Sequence, residues 1–326
     1  MFTKKSQQVD RLISEDLNLI SKEIKKKIPK SKIILWGSFF YDDFSYIKKK
    51  RQIVFMSDYD LFVVTNNFLP IFKTIKLKRN LEKISEQLNN NKLDVIITSK
   101  ILSNFNLQRK VRFGKIINEN KKHHSKNNNS FRKIDLLYNF EKLYYKLLLT
   151  KKHAEDYHKK YVLSSIVRYA FMNFCIFNNK PFYSSSEILD FTQKDKIKND
   201  KKLISILKKA LRIRSNLEKE ETISWLETRF ALNKIFNLIT GLKNLKSITK
   251  KISFLDKTVL RLQITFYYLT NERKIIFFPI QKYENWLEKL DKAVNYESKQ
   301  ATNQTVSQIK KEMIKRRNPF FIKIKN

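Results

Sequence analysis

Apolar residues near the start of the chain recur first with the spacing of a helix and then with that of a strand. From Val9 to Ile28 they return every three or four positions, which predicts an amphipathic helix that ends at Pro29. The runs 32–38 and 53–65 are short and rich in β-branched and aromatic residues. Such runs are typical of buried strands, so we expect two strands here, joined by a polar, basic surface segment.

Helical spacing returns at 72–90, and the apolar run 92–98 predicts a third strand. The segment 101–118 has the pattern of a closing helix, with Gly114 near its end. The next twelve positions, 119–130, are basic and rich in asparagine, and they contain no apolar residue. That composition predicts a linker between domains.

Beyond the linker, the pattern at 131–247 is almost wholly helical. Residues 248–326 mix apolar runs with helix-like pieces and give no clear prediction. The expected fold class is therefore α+β. A domain over 1–118, with a small mixed sheet flanked by helices, would precede a mainly helical domain over 131–247.

The formal net charge is +37, from 68 basic and 31 acidic residues among 326. An excess of this size indicates an acidic partner such as RNA. It is spread evenly along the chain, and the sequence is rich in Lys, Asn and Ile with only three glycines, so general lysine enrichment explains it as well. The charge alone leaves both interpretations open.

The cysteine content and apolar stretches favour a cytoplasmic protein without a membrane segment. Cys175 is the only cysteine, which rules out an intrachain disulfide and a cysteine-based metal cluster. The N-terminal residues have no apolar core of the kind found in signal peptides. The stretch 161–177 is apolar but carries Arg168 and Asn173, so we expect a buried helix.

Three aspartates occupy unusual places in the predicted strands. Asp58 and Asp60 lie two positions apart in one apolar run, so their side chains project to the same side of a strand. Asp94 is the only carboxylate of the third strand. Neighbouring buried carboxylates repel each other unless they hold a cation. Oxygen ligands without Cys or His favour Mg²⁺ or Mn²⁺, and two ions would suit phosphate chemistry.

Gly37 and Ser38 close the first predicted strand. A glycine at a tight turn lets backbone amides and a neighbouring hydroxyl approach a triphosphate closely. A chain with so few glycines has placed one where such an approach is needed.

Taken in order, the strand ending in Gly37-Ser38, the Asp58-x-Asp60 pair and the later Asp94 resemble the nucleotidyltransferase superfamily, which has the DNA polymerase β-like fold. The resemblance covers about residues 8–118. It implies that Gly37 and Ser38 contact the triphosphate of an NTP, and that Asp58, Asp60 and Asp94 bind two Mg²⁺ or Mn²⁺ ions. It also implies that Asp94 assists deprotonation of the acceptor hydroxyl. The product would be a nucleotidylated acceptor with release of pyrophosphate.

Two features depart from the family pattern. The spacing between Ser38 and Asp58 is longer than usual, and apolar and acidic residues follow Gly-Ser in place of small and basic ones. The added segment contains Lys48, Lys49, Lys50 and Arg51, which are candidates for contact with an anionic acceptor; a solvated basic loop is the alternative.

The acceptor itself is not determined by these residues. The charge favours RNA, with the 3′ end of a tRNA as one form, while a protein or small-molecule acceptor stays open. The competing hypotheses are a non-catalytic nucleic-acid-binding relative of the fold, and aspartates that merely end a strand at the surface. Nothing in the sequence indicates the preferred NTP or the oligomeric state.

Overall fold

A computed structural model of the chain describes residues 7–40, 44–49, 52–66, 71–90, 92–99, 113–117, 121–124, 133–150, 157–178, 185–194, 196–215, 217, 221–254, 256–258, 280–295 and 321–324. The chain divides into two compact units. The first comprises Met1–Asn129, Ser215–Glu218 and Phe320–Asn326, and the second comprises Ser130–Arg214 and Lys219–Pro319. The fold is α+β with a mixed sheet and a majority of helices.

The described part of the first unit contains two sheets and two helices. Its helices are α1 (Gln7–Lys27) and α2 (Ile71–Ser85). Its strands are β1 (Lys32–Trp36), β2 (Tyr46–Lys49), β3 (Gln52–Phe55), β4 (Tyr59–Thr65), β5 (Leu93–Ser99), β6 (Phe113–Ile116), β7 (Lys121–His124) and β8 (Phe321–Ile324). The larger sheet has the order β7-β6-β1-β4-β5-β8, and β2 and β3 form a separate two-stranded sheet.

Strand directions in the larger sheet bring particular strand ends together. β1 runs antiparallel to β4, whereas β4 and β5 are parallel. The end of β1 therefore lies at the same edge of the sheet as the beginnings of β4 and β5. Trp36 pairs with Asp60, and Asp60 pairs with Asp94 on the next strand.

Alternation along the strands separates the two faces of this sheet. Tyr59, Leu61 and Val63 of β4 belong to the main core, which includes Leu77 and Leu81 of α2. Residues of β1, β5 and α1 also belong to that core, among them Ile33, Leu35, Leu93, Val95, Ile97, Val9, Ile20 and Ile24. The opposite face has a smaller cluster of Ile34, Phe62 and Ile116. Asp60 and Asp94 fall on this second face, because side chains alternate along a strand.

Several predicted elements of the first unit are corrected by these pairings. The run 53–65 was predicted as one strand, but Met56–Asp58 form a turn that divides it into β3 and β4. The basic surface segment before it includes β2, which pairs with β3 in a hairpin. Apolar composition predicts burial but does not mark where a chain turns.

The predicted closing helix and linker also differ from the structure. Within 101–118, residues Phe113–Ile116 form β6, which pairs with β1; residues 101–112 lie outside the described part. Within the predicted linker 119–130, Lys121–His124 form β7, which pairs with β6. Short polar strands of this kind owe their conformation to ladder hydrogen bonds with a neighbour, which a local pattern does not reveal.

Helices dominate the described part of the second unit. They are α3 (Lys133–Thr150), α4 (Tyr157–Phe177), α5 (Ser185–Lys194), α6 (Lys201–Ser215), α7 (Trp225–Thr240), α8 (Lys246–Thr249) and α9 (Ile280–Asn295). A turn of 3₁₀-helix at Lys196–Asn199 precedes α6. Of the region 248–326, which had no predicted fold, α9 belongs to this unit and β8 to the first.

Local sequence signals explain how α7 begins and ends. The Ser224 side chain accepts a hydrogen bond from the backbone N–H of Glu227 at 3.0 Å, and the Glu227 carboxylate accepts one from the Ser224 N–H at 2.7 Å. This is a capping box, which satisfies two amides that the helix itself leaves open. Gly241 ends the helix in the left-handed conformation with φ of 66°.

The apolar helix α4 is buried, as the sequence predicts. Arg168 has no exposed surface, and its Nε donates to the Ser185 hydroxyl at 3.1 Å while Nη1 contacts the Met172 sulfur at 3.0 Å. No helix in the described part of the chain combines the length and the apolar character that a membrane crossing requires.

Candidate functional site

The candidate site lies at the edge of the larger sheet where β1 ends and where β4 and β5 begin. Sheet direction brings Gly37, Asp60 and Asp94 to this edge from three separate parts of the chain. Immediately after β1, Gly37–Phe39 form one turn of 3₁₀-helix. The site therefore combines a buried turn of 3₁₀-helix with two carboxylates from adjacent strands.

Gly37 is held against the Asp60 side chain. Its φ is +73°, a conformation that L side chains rarely adopt. A Cβ atom on this residue would lie 3.0 Å from Asp60 Cγ and 3.1 Å from Asp60 Cβ, and closer still to Asp60 Oδ2. Only glycine fits this position without a shift of the carboxylate or the turn.

Asp60 and Asp94 are direct neighbours in the parallel β4–β5 ladder. Residues paired in this way point to the same face of the sheet. Asp94 is only 8% exposed, and Asp60 is partly buried. Two carboxylates so placed repel each other unless a cation or hydrogen-bond donors offset their charge.

Asp58 is not on a strand, in contrast to the sequence prediction. It is the last residue of the Met56–Asp58 turn, directly before β4 begins at Tyr59, and it is partly buried. The alternation that would align it with Asp60 holds only inside a strand. Its position depends instead on what holds the turn.

The carboxylates do not form the expected three-membered cluster. Among the described residues, which include all three aspartates, no group of three or more His, Cys, Asp or Glu side chains is placed to hold a metal ion. The backbone register supports the pair Asp60 and Asp94 alone. A pair still fits the chemistry of Mg²⁺, which commonly takes one or two protein carboxylates and completes its shell with water and substrate phosphates.

Ser38, which is predicted to contact a triphosphate, lies within the 3₁₀ turn beside Gly37. It is only 3% exposed, so its hydroxyl is covered in this structure. The neighbouring Phe39 anchors the turn, because its ring lies 4.3 Å from that of Tyr59 and stacks on Phe44 at 4.6 Å. Packing of the Phe39 ring against Tyr59 and Phe44 therefore holds the turn in place.

The predicted basic contacts fall on the β2–β3 hairpin. Lys48 is exposed and pairs in the ladder with Ile53, and Lys49 pairs with Gln52. Lys50 and Arg51 stand between the two strands and lie outside the described residues. The hairpin packs against the turn after β1 through Phe55, whose ring lies 5.8 Å from that of Phe39.

Two features near the site were missed at the sequence level. Lys323 of β8 pairs with Asp94, so the C-terminal strand borders the carboxylate pair. Asp16 of α1 is buried at 2% exposure and accepts a hydrogen bond from the Tyr59 hydroxyl at 2.9 Å. The position of Asp16 within the apolar stripe of α1 is the one sequence signal that could have indicated this buried carboxylate.

No model of a known protein family matches the chain, and none of the curated proteins matches it. The functional interpretation therefore rests on the fold class and on the arrangement of Gly37, Asp60 and Asp94 at this edge of the sheet.

Proposed function

We propose that the chain is a metal-dependent nucleotidyltransferase that transfers a nucleoside monophosphate from an NTP to an acceptor hydroxyl. The observation that carries the proposal is the close packing of Gly37 against Asp60, with Asp94 beside it in the ladder. The resemblance to the nucleotidyltransferase superfamily implies Gly37 and Ser38 at the triphosphate and Asp58, Asp60 and Asp94 at the metals, and the packing of Gly37 against Asp60 supports the proposal.

Each residue has a distinct role in the proposed reaction. Backbone groups of Gly37 and Ser38 would receive the triphosphate at the turn. Asp60 and Asp94, which are paired in the β4–β5 ladder, would hold Mg²⁺ or Mn²⁺. When bound, the metal supplies positive charge that offsets the charge of the phosphates and of the leaving group.

The proposed step is an in-line displacement at phosphorus. The acceptor oxygen forms a bond to the α-phosphorus while the bond from that phosphorus to the β-phosphate oxygen breaks, and pyrophosphate leaves with the electron pair. The acceptor proton passes to the Asp94 carboxylate and from there to water. The low exposure of Asp94 limits competing water around the reacting groups.

RNA is the acceptor class that the charge favours. The net charge of +37 attracts a polyanion, and the β2–β3 hairpin carries an exposed lysine, Lys48. A protein or small-molecule hydroxyl is the alternative acceptor.

Incubation with each α-³²P-labelled NTP, Mg²⁺ and total RNA tests the proposal. Wild type should transfer label, and Asp60→Asn should reduce transfer at least about 100-fold, because it removes a charge that binds the metal. Asp10→Asn, an exposed aspartate of α1, is the matched control and should retain full transfer. Label in protein would identify a protein hydroxyl as the acceptor. Equal transfer by Asp60→Asn and wild type would show that Asp60 does not bind the catalytic metal.

The second candidate function is a non-catalytic nucleic-acid-binding relative. It is favoured by the finding that the three aspartates, all within the described residues, do not form a metal-holding group. This candidate predicts RNA binding by wild type and Asp60→Asn alike, with no label transferred by either and no release of pyrophosphate.

A further inference from the structure

The buried and exposed sides of helix α6 (Lys201–Ser215) differ in charge. Every apolar residue of this helix is buried. The exposed side carries Lys201, Lys202, Ser205, Lys208 and Arg212. With half-buried Lys209 beside them, these positions fall within an arc of about 120°, because each residue advances the helix by about 100°. The four lysines and Arg212 form the basic face of α6.

Such a face is unusual even in a chain rich in lysine. Among the described helices of ten residues or more, α4 and α6 alone contain no acidic residue. The lysines and the arginine of α4 are buried or half-buried, so they form no exposed basic surface. On α2 and α9, glutamates lie among the lysines and pair with them, as Glu82 does with Lys78 and Glu288 with Lys292. General lysine enrichment therefore does not by itself account for the basic face of α6.

Carboxylates on neighbouring segments balance only part of this charge. Arg212 Nη2 lies 2.6 Å from Glu221 Oε1, and Lys209 Nζ lies 3.0 Å from Glu227 Oε1. Within the described part of the chain, no carboxylate forms an ion pair with the other basic residues of the face, which are Lys201, Lys202 and Lys208. The charge of these three lysines is therefore available to a partner.

Contacts with α7 and a helix cap hold this surface in place. Lys202 Nζ lies over the ring of Phe230, 4.6 Å from its centroid, in a cation–π contact. Asp200, directly before α6, accepts a hydrogen bond from the Leu203 N–H at 3.0 Å and so caps the helix. Asp200 Oδ2 also lies 3.6 Å from Nζ of Lys234 on α7. The acidic residue that precedes the basic face is therefore engaged by its own helix and by Lys234.

The composition of the basic face indicates the chemistry of its partner. A helix that lies on a lipid surface inserts apolar side chains, and the centre of a protein interface is rich in apolar and aromatic residues. The exposed side of α6 offers no apolar side chain, because all of them are buried. A nucleic acid requires a row of positive charges, since phosphate contacts supply most of its non-specific affinity. From Lys201 to Arg212 the row is about 16 Å long, which spans several successive phosphates.

We propose that the basic face of α6 binds the phosphate backbone of RNA, with Lys201, Lys202 and Lys208 as the main contacts. Lysine is a compact point charge, so these contacts position the RNA without reading its sequence. The inference rests on the RNA acceptor of the proposed function but not on the transfer step, so it holds equally for a non-catalytic RNA-binding chain. The part of the net charge that bears on RNA is then that of one helix face.

A variant that combines Lys201→Gln, Lys202→Gln and Lys208→Gln tests this surface. Glutamine is a good helix former and stays polar, so α6 should keep its fold. Filter binding of a tRNA pool should weaken at least about tenfold at about 100 mM salt, because the lost contacts no longer release counterions. The slope of log affinity against log salt should fall by about 2 to 3, since each phosphate contact contributes roughly 0.7 to 0.9.

The matched control removes the same charge from α2. Lys76→Gln, Lys78→Gln and Lys83→Gln replace three exposed lysines that lie on the same helix as Glu82. This variant should bind the tRNA pool as wild type does, with an unchanged salt slope. Arginine at the three α6 positions keeps the charge and should preserve binding. Equal weakening by the two glutamine variants would overturn the inference, because it would assign RNA binding to the net charge alone.

Acetylation of lysines with and without the tRNA pool, read by mass spectrometry, locates the contact without any activity. RNA should protect Lys201, Lys202 and Lys208, whereas Lys76 and Lys78 should react as they do in the free chain. Protection of the α2 lysines alone, or of neither helix, would overturn the inference. Loss of binding to anionic phospholipid vesicles in the α6 glutamine variant, with unchanged RNA affinity, would overturn it in favour of a membrane surface.

Failure of this inference and failure of the proposed function have different outcomes. If wild type binds RNA through α6 but transfers no label, nucleotidyl transfer fails and the RNA-binding surface stands. If wild type transfers label to a protein or a small molecule and binds no RNA, nucleotidyl transfer stands and the RNA-binding surface fails.

Discussion

Two glycines with positive φ illustrate what a single residue contributes. Gly37 has φ of +73° and lies against the Asp60 side chain, whereas Gly241 has φ of +66° and has no atom within 4 Å of where a Cβ would be. Both therefore need glycine for the backbone, but only Gly37 needs it for space. Comparing substitutions at the two glycines therefore separates the effect of the close approach to Asp60 from the cost of the left-handed backbone conformation.

Gly37→Ala should reduce both stability and transfer, and Gly241→Ala only stability. Each substitution forces an L residue into the left-handed region, at a cost of about 1–2 kcal/mol. In Gly37→Ala the new methyl group also displaces the Asp60 carboxylate, so transfer should fall at least about tenfold. Urea unfolding and the labelling assay measure the two effects. Full transfer by Gly37→Ala would show that the approach of Gly37 to Asp60 has no functional part.

At the scale of elements, a buried carboxylate joins α9 to the start of α8. Asp291 of α9 is 7% exposed, and it accepts a hydrogen bond from the Leu245 N–H at 2.9 Å. The pKa of Asp291 is raised to about 7: burial raises it most, the N–H groups of Lys246 and Leu245 partly offset this, and the charge of Glu288 adds to the rise. Burial and the charge of Asp291 also raise the pKa of the Tyr144 hydroxyl on α3.

This carboxyl should make stability fall as the pH rises. An unfolded aspartate has a pKa of about 3.9. Between about pH 4 and pH 7 the folded chain holds a proton that the unfolded chain has lost, so raising the pH across this interval lowers the free energy of unfolding. Above about pH 7 both forms are ionised and the effect is complete. The total is on the order of a few kcal/mol.

Asp291→Asn is the matched variant for this effect, because its amide oxygen can still accept from the Leu245 N–H. The wild-type free energy of unfolding should fall between pH 5 and pH 8 relative to that of the variant, as measured by urea unfolding at each pH. Nearby ion pairs of Glu288 with Lys246 and Lys292 are present in both proteins and cancel in the difference. Parallel pH curves would contradict a raised pKa at Asp291.

At the scale of the whole molecule, the net charge of +37 is the property that bears on the acceptor. If RNA is the acceptor, its binding releases counterions, and affinity should fall at least about tenfold between 50 and 200 mM salt. Filter binding of a tRNA pool to the full chain measures this directly. A neutral small-molecule acceptor should have a nearly constant KM over the same range, which would assign the charge to lysine enrichment.

The larger sheet also joins strands that are far apart in the sequence. β8 lies at the C-terminal end of the sequence yet pairs with β5 in the first unit, with Lys323 opposite Asp94. A four-residue strand of this kind has no stability of its own, so the edge of β5 determines it. No local pattern in residues 248–326 indicates that pairing.

Periodicity by itself determined the elements that bury a continuous apolar face. The stripe predicted from Val9 to Ile28 is confirmed by α1, which buries Val9, Ile20 and Ile24. The strands that carry Asp60 and Asp94 are confirmed in the same way, because long apolar runs have few alternatives to burial. The order of these elements was enough to predict an α+β fold with a small mixed sheet.

Tertiary structure decided the parts whose conformation depends on distant partners. The division of 53–65 into β3, a turn and β4 follows from hydrogen bonds of Ser57 with Ser45 and Asn90, which lie 12 and 33 positions away. The strands at 113–116 and 121–124 exist because β1 and β6 pair with them. Sequence records which residues prefer burial, but a hydrogen bond between distant segments forms only when the whole sheet brings its donor and acceptor together.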